Sequence, residues 1–213
     1  MNGFPWLTVA GAIPLLGAIV VSLVPGLPAD SATADVKARE ALAKWLALLF
    51  SLAALVVVII IAVKFQVGGP NYQFTEVYSW IPAFGVHYAV GVDGIALVLI
   101  AMTAVLMPVV ILASWNEAEG GQHSVKTYFA LMLVLETMVI GVFAAIDVFL
   151  FYVFFEAMLI PMYFLIGSYG VGKRQYAAVK FLLYSLLGGL LMLVAVIALY
   201  VYSTSMSRPP SRL

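Results

Sequence analysis

The sequence predicts an all-α, polytopic bundle of about six membrane-spanning helices. Three observations carry that expectation. Of 213 residues, 65% are hydrophobic and only 9% are charged, whereas soluble domains carry about 25% charged residues. Apolar stretches of about 20 residues, the length needed to cross a bilayer, recur along the chain between short polar connections. None of them alternates apolar with polar residues as a barrel strand does, and backbone polar groups cannot be left open in lipid, so these stretches must be helices.

The elements follow in order. The N-terminus, MNGFPWLTVAG, has no basic region ahead of its apolar stretch, so Phe4–Val24 reads as an uncleaved first span rather than a signal peptide. Pro25–Lys44 holds Asp30, Asp35, Lys37, Arg39 and Glu40 and reads as an aqueous loop ending in a short surface helix. Trp45–Val63 is the second span. Phe65–Asp93 contains YSWIPAFGVHYAVGVDG, whose Tyr, Trp, Val and Gly content predicts a short interfacial hairpin. Ile95–Ser114, Tyr128–Ile146, Phe149–Ser168 and Ala178–Tyr202 are spans three to six. Asp93 and Asp147 stand at helix starts, where a carboxylate suits the helix dipole, and read as caps. The link at Asp147 is so tight that spans four and five must be antiparallel neighbours. STSMSRPPSRL, residues 203–213, reads as a disordered polar tail. The chain divides at 1–146, 147–202 and 203–213, and no internal repeat is visible.

Formal net charge is zero, which gives no bias toward nucleic acid or other polyanions. The absence of cysteine excludes disulfide and thiol chemistry. His87 and His123 lie far apart and make a poor metal site. Lys37, Arg39, Lys44, Lys126, Lys173 and Arg174 follow odd-numbered spans, whereas only Lys64 lies between helices on the other side. The positive-inside rule then predicts an N-terminus outside and the Lys173 loop in the cytoplasm.

Three ionisable residues fall inside spans: Glu136, Glu156 and Lys180. Each costs about 2.5–3.5 kcal/mol at a helix centre on insertion scales, so such groups pair, face the bundle interior or line a water path. Glu156 has apolar neighbours for two turns on each side and is too deep to reach the interface. A carboxyl there can exchange a proton with a nearby ammonium; the alternative is a packing bond to a neighbouring helix. Pro161 leaves the carbonyl of Ala157 without a donor and crowds that turn, which predicts polar room beside Glu156 or else a tolerated kink. Lys180 is followed at i+4 and i+8 by Tyr184 and Gly188, an interior-looking stripe, although a lysine near the helix start can also extend to the interface. Glu136, in LMLVLETMVIGVF, reads either as a second protonatable group or as a helix–helix bond to another chain. GSYGVGKR, residues 167–174, mimics a phosphate loop, but Arg174 stands where Ser or Thr should hold Mg²⁺ and a membrane helix precedes it. It reads as a basic turn.

DVFLFYVFFEAMLIPMYFLIGSYG, the following KFLLYSLLGG, and YSWIPAFGVHYAVGVDGIAL resemble chain M (chain four in mitochondria and chloroplasts) of the proton-pumping NADH–quinone oxidoreductase, respiratory complex I. The resemblance spans nearly everything up to about Tyr202. It implies the N-terminal part of a larger antiporter-like fold, with residues 147–202 beginning the proton-conducting region. It implies that Glu156 is the fifth-helix glutamate that pairs with a seventh-helix lysine, and that Lys180 is a sixth-helix lysine near the same centre. Proton transfer would then involve Glu156, Lys180 and Glu136. The implied partners are protons, the lipid bilayer and other membrane-arm subunits, in a bacterial plasma membrane. NADH, flavin, iron–sulfur clusters and quinone would be bound by other subunits, and no cofactor by this one. Members of the family continue into a seventh helix and an inverted second set, so the sequence reads as a truncated, frame-shifted or partial product. A subunit of a related sodium–proton antiporter or membrane-bound hydrogenase, and a non-transporting assembly fragment, are the alternatives.

Overall fold

A computed structural model of the chain describes residues 4–24, 33–82, 86–117 and 124–206. In chain order the elements are α1 (Trp6–Leu23), α2 (Thr33–Lys64), β1 (Gln73–Ile81), β2 (Val86–Val92), α3 (Gly94–Ala113), α4 (Val125–Ala144), α5 (Val148–Tyr169) and α6 (Arg174–Met206). All six helices are long and apolar enough to cross a membrane. The 18 residues of α1 span about 27 Å at 1.5 Å each, close to the hydrocarbon thickness of a bilayer.

Two helices differ from the sequence reading. α2 begins at Thr33, so most of the expected aqueous loop is helix continuous with the span, and residues 25–32 lie outside the described residues. Its first turns, TADVKAREALAK, consist largely of strong helix formers with no Gly or Pro to stop them. α6 likewise starts at Arg174 and continues to Met206, four residues into the expected tail; residues 207–213 lie outside the described residues.

The bundle is built around α4, which packs on α1, α2, α3 and α5. Half of the apolar window of α4 is buried inside the chain, against 6% for α6, whose extensive packing is on α5 alone. Phe129, Leu133 and Ile140 of α4 are fully buried and join clusters drawn from α1, α2 and α3. α5 approaches closely because Gly141 has no side chain: a Cβ there would lie 2.5 Å from the Phe154 ring. The expected caps form. Asp93 accepts from the Ala96 N–H at 2.7 Å, and Asp147 accepts from the Phe149 and Leu150 N–H groups at 2.8 and 3.1 Å.

The expected hairpin also forms, as an antiparallel pair lying across one end of the bundle. Its register slips between Gln73 and Glu76, where Phe74 takes a φ of 54°. This bulge re-aims the strand, and Glu76 turns in beneath α1. One Glu76 oxygen accepts from the Leu7 N–H at 2.9 Å, and the other accepts from the Thr8 hydroxyl. Tyr88 of β2 closes the cluster, its hydroxyl 3.0 Å from that of Thr8. A carboxylate thus meets the positive end of the α1 dipole and satisfies N–H groups that no helical carbonyl can reach. Further ties hold the hairpin to the α4–α5 link: Ile146 N–H donates to Ala89 O at 3.0 Å, and His87 N–H to Asp147 at 3.2 Å.

Burial, with the Glu76 charge adding to it and the Thr8 hydrogen bond opposing it, pushes the Tyr88 phenol above the ordinary tyrosine value of 10.0. An unfolded tyrosine loses its proton first, so the anchorage is complete below the ordinary value and is lost as pH rises through the raised folded one. Trp80 fluorescence followed against pH should therefore hold steady to about pH 10 and change above it. In Tyr88→Phe that alkaline step should be absent; its persistence would show that the phenol is not the group responsible.

Candidate functional site

Glu156 lies eight residues into α5, about 12 Å along the axis from the hairpin end. The helix runs unbroken through Pro161, which is buried. The Glu156 side chain is half-buried and points at α6. There it rests on the backbone of Gly189: a Cβ at that position would overlap the Glu156 Oε1 atom. Oε1 is buried and has no hydrogen-bond partner among the described residues. The expectation of a carboxyl held mid-span among apolar residues is met. What receives it is a bare stretch of helix backbone. The cavities around α5 open toward its two ends. One of about 410 Å³ lies between Tyr78, Trp80, Tyr88 and Phe154, and one of about 320 Å³ between Tyr163, Ser168, Gln175 and Ala178.

Lys180 does not meet this carboxyl. The face that α6 turns to α5 runs through Ala178 and Gly189, both buried. Nine residues separate Lys180 from Gly189, which is about half a turn around the helix and 13 Å along it. The predicted stripe of Lys180, Tyr184 and Gly188 accordingly lies on an exposed flank, with Tyr184 68% exposed and open space above Gly188. The Lys180 ammonium sits 5.9 Å from the ring centres of both Tyr176 and Tyr184. These rings stabilise a cation through their π faces. Sequence reasoning selected Gly188 where packing uses its neighbour, because a one-residue step rotates the face by 100°.

Glu136 is 0% exposed, inside the bundle of the first four helices and on another face of α4 from the α5 contact. Ser51 of α2, also 0% exposed, donates to its Oε1 at 3.3 Å. Oε2 is buried without a partner among the described residues. Thr137 beside it turns back, donating to Leu133 O at 3.2 Å. The bond to another chain that the sequence left open is thus made within this one. Two polar residues escaped sequence reasoning. Ser51 carries no charge to mark it, and Lys44 was read at the end of a short surface helix although it is only 2% exposed. The ladder spacing of Lys44 and Ser51, seven residues apart on one face of α2, was the available signal.

Aromatic and basic side chains mark both ends of the spans. Lys64 lies 4.1 Å from the Trp6 ring at the hairpin end. At the other, Trp45 and Trp115 meet edge to face at 5.3 Å, and Lys126 donates to Val24 O at 2.9 Å. Lys44, Lys126, Lys173 and Arg174 share this second, basic end.

Six spans, a hairpin closing one end and carboxyl groups held at span level define a polytopic membrane protein. Residues 41–142 match the family described as NADH-ubiquinone oxidoreductase chain 4, amino terminus, and residues 145–208 match NADH:quinone oxidoreductase/Mrp antiporter, TM. The second match reaches six residues beyond Tyr202. NADH-quinone oxidoreductase subunit M of Mycobacterium tuberculosis is 46% identical over 228 residues, covering 94% of this chain and 39% of that protein. The subunit M of Rhodobacter capsulatus is 40% identical over 194 residues, covering 91% and 35%. The chain belongs to this subunit M, or chain 4, family, and spans about 39% of the length of the relative with 46% identity. Respiratory complex I from Thermus thermophilus with bound NADH contains a similar chain, with a TM-score of 0.74, 26% identity and coverage of 93% and 37%. A chain of the archaeal membrane-bound sulfane sulfur reductase shares the fold, with a TM-score of 0.70, 19% identity and coverage of 93% and 28%.

The Glu156–Gly189 contact has a direct test. In Gly189→Ala the new methyl meets the end of a flexible side chain, so the carboxyl should swing out while the helices stay in place. Labelling of Glu156 by an apolar carbodiimide, read by mass spectrometry, should rise, with thermal stability lowered by about 1 kcal/mol or less. Unchanged labelling would mean that Gly189 does not hold the carboxyl.

Proposed function

We propose that this chain forms the first spans of a membrane-arm subunit of a proton-translocating NADH–quinone oxidoreductase, in which Glu156 is a proton-exchanging group. The observation that carries this is the Glu156 carboxyl lying mid-span against Gly189 with an unpartnered oxygen, in a chain of the subunit M family. Desolvation disfavours the charged form of such a group, and a nearby ammonium restores it. Making and breaking that pairing moves a proton on and off the carboxyl. The lysine that pairs with it lies outside the face of α6 that covers it. Lys180, on the opposite flank, is a separate station that carries charge toward elements packed on that flank. Glu136 is a third proton-transfer group.

In this reading the chain performs no redox chemistry and holds no cofactor. NADH, flavin, iron–sulfur clusters and quinone belong to other subunits of the complex, and its own partners are those of the membrane arm, lipid and protons. The basic end faces the cytoplasm of a bacterial cell and the N-terminus faces outside, in keeping with the positive-inside rule. A second reading, a subunit of a sodium–proton antiporter, draws on the family shared with Mrp antiporters over residues 145–208. The chain 4 match over residues 41–142 and the 46% identical relative favour the oxidoreductase.

In a complex assembled with the full-length subunit, Glu156→Gln keeps the shape and removes the titration. NADH-driven proton uptake into vesicles should fall by roughly a hundredfold, within the range of a positioned proton-transfer group, while the complex still assembles. Normal pumping by the assembled variant would make Glu156 a packing residue. Orientation is checked by single cysteines: position 173 should react with an impermeant maleimide only from the cytoplasmic side, and reaction only from outside would reverse the topology.

A further inference from the structure

A cavity of about 210 Å³ opens between α1, α4, α5 and β2, toward the end of the bundle that the hairpin closes. It follows α1 from Thr8 to Leu15, about 10 Å along the helix. Thr8 and Tyr88 stand at its hairpin end. Deeper in the span its walls are apolar, with Gly11, Leu15 and Met138 and the hydroxyl of Thr137 among them. The cavity is open rather than sealed: Leu15, at its deep end, is 37% exposed at the level of the spans. Gly11 supplies room, since a Cβ there would meet nothing nearer than the Ile140 methyl at 4.0 Å.

The hydroxyl protons of this cavity are all engaged elsewhere. Thr8 has one hydroxyl proton and donates it to Glu76. The 3.0 Å contact between the Thr8 and Tyr88 hydroxyls is therefore donated by Tyr88. Thr137 donates to Leu133 O. What the three oxygens offer a ligand is lone pairs, so the ligand must bring the donor. Charge narrows the choice. The Glu76 carboxylate stands directly behind Thr8, and among the described residues lining the cavity none is basic. An anionic headgroup would meet acceptors and a like charge. An ammonium meets acceptors backed by an opposite charge, and charge-assisted hydrogen bonds are the stronger kind. A polar mouth above an apolar shaft suits an amphiphile.

We propose that this cavity binds a phospholipid whose headgroup is a primary ammonium, phosphatidylethanolamine. The ammonium donates to the Tyr88 and Thr8 oxygens at the hairpin end. One acyl chain lies over Gly11 between Leu15 and Met138, and the rest of the lipid stays in the bilayer. The site is separate from Glu136 and Glu156 and does not depend on their part in proton transfer.

Photo-cross-linking tests it on the complex assembled with the full-length subunit in lipid nanodiscs. The probe is phosphatidylethanolamine with a diazirine in one acyl chain, and labelled peptides are read by mass spectrometry. Label should appear on α1 and α4 near Leu15 and Met138. The same acyl chain on phosphatidylcholine, which keeps the positive charge but has no N–H, should label these positions about tenfold less. So should phosphatidylglycerol, which has hydroxyl donors but a net negative charge. Tenfold is the discrimination that one hydrogen bond to a charged group provides. Tyr88→Phe removes an acceptor at the mouth and should bring the three lipids near parity. Gly11→Leu fills the shaft and should abolish labelling by all three; where that variant fails to assemble, the headgroup comparison in the unsubstituted subunit still decides. Equal labelling by the three lipids there would overturn the recognition of an ammonium. No label near Leu15 and Met138, or label undiminished in Gly11→Leu, would overturn the cavity as a lipid site.

Discussion

Desolvation of carboxyl groups is the constraint around which this molecule is organised. Three glutamates lie within or against an otherwise apolar bundle, and each is accommodated differently. Glu76 meets the open end of α1 and accepts from backbone and hydroxyl donors, so its charge is well supported and it acts as a clasp. Glu136 has a single donor, Ser51. Glu156 has no donor among the described residues and rests on the backbone of Gly189. Support declines from the first to the third. The same chemical group thus meets three different surroundings, set by how many donors the fold brings to it.

Packing decides which side chain receives which treatment. α4 is covered on several sides, so a carboxyl on it is sealed from lipid; α5 and α6 lie at the edge of the bundle, and α6 leaves most of its surface open. Glycine sets the distances. Gly141 lets Phe154 of α5 settle against α4, and Gly189 lets the Glu156 carboxyl sit directly on α6. Without the first, α5 would stand off from α4. Without the second, Glu156 would have to leave its place between the two helices.

Much of this was legible in the sequence. Hydropathy locates six spans because lipid selects for it along the whole length of a helix. The caps at Asp93 and Asp147 and the hairpin before Asp93 followed from local chemistry. The extent of the helix before the second span was less legible: a short surface helix ending at Lys44 was expected, but not that it begins at Thr33 and runs unbroken into the span. The Glu76 clasp was not legible, as its partner Leu7 is 69 residues away in the chain. Glu136 and Glu156 were conspicuous as charges in oil, but their surroundings depend on rotation about helix axes, which apolar composition does not encode. A spacing argument on α6 therefore found Gly188 and Lys180 on one flank, while the carboxyl settled on the opposite face at Gly189.

The central claim is that Glu156 changes protonation where it lies. Its carboxyl carbon resonance, assigned by difference from Glu156→Gln in ¹³C-glutamate-labelled, lipid-embedded full-length subunit, reports this directly by solid-state NMR. Recorded across the pH range in which the complex is active, the resonance should move between its acid and carboxylate positions. A resonance fixed at one position throughout that range would contradict the account and leave Glu156 as a packing group.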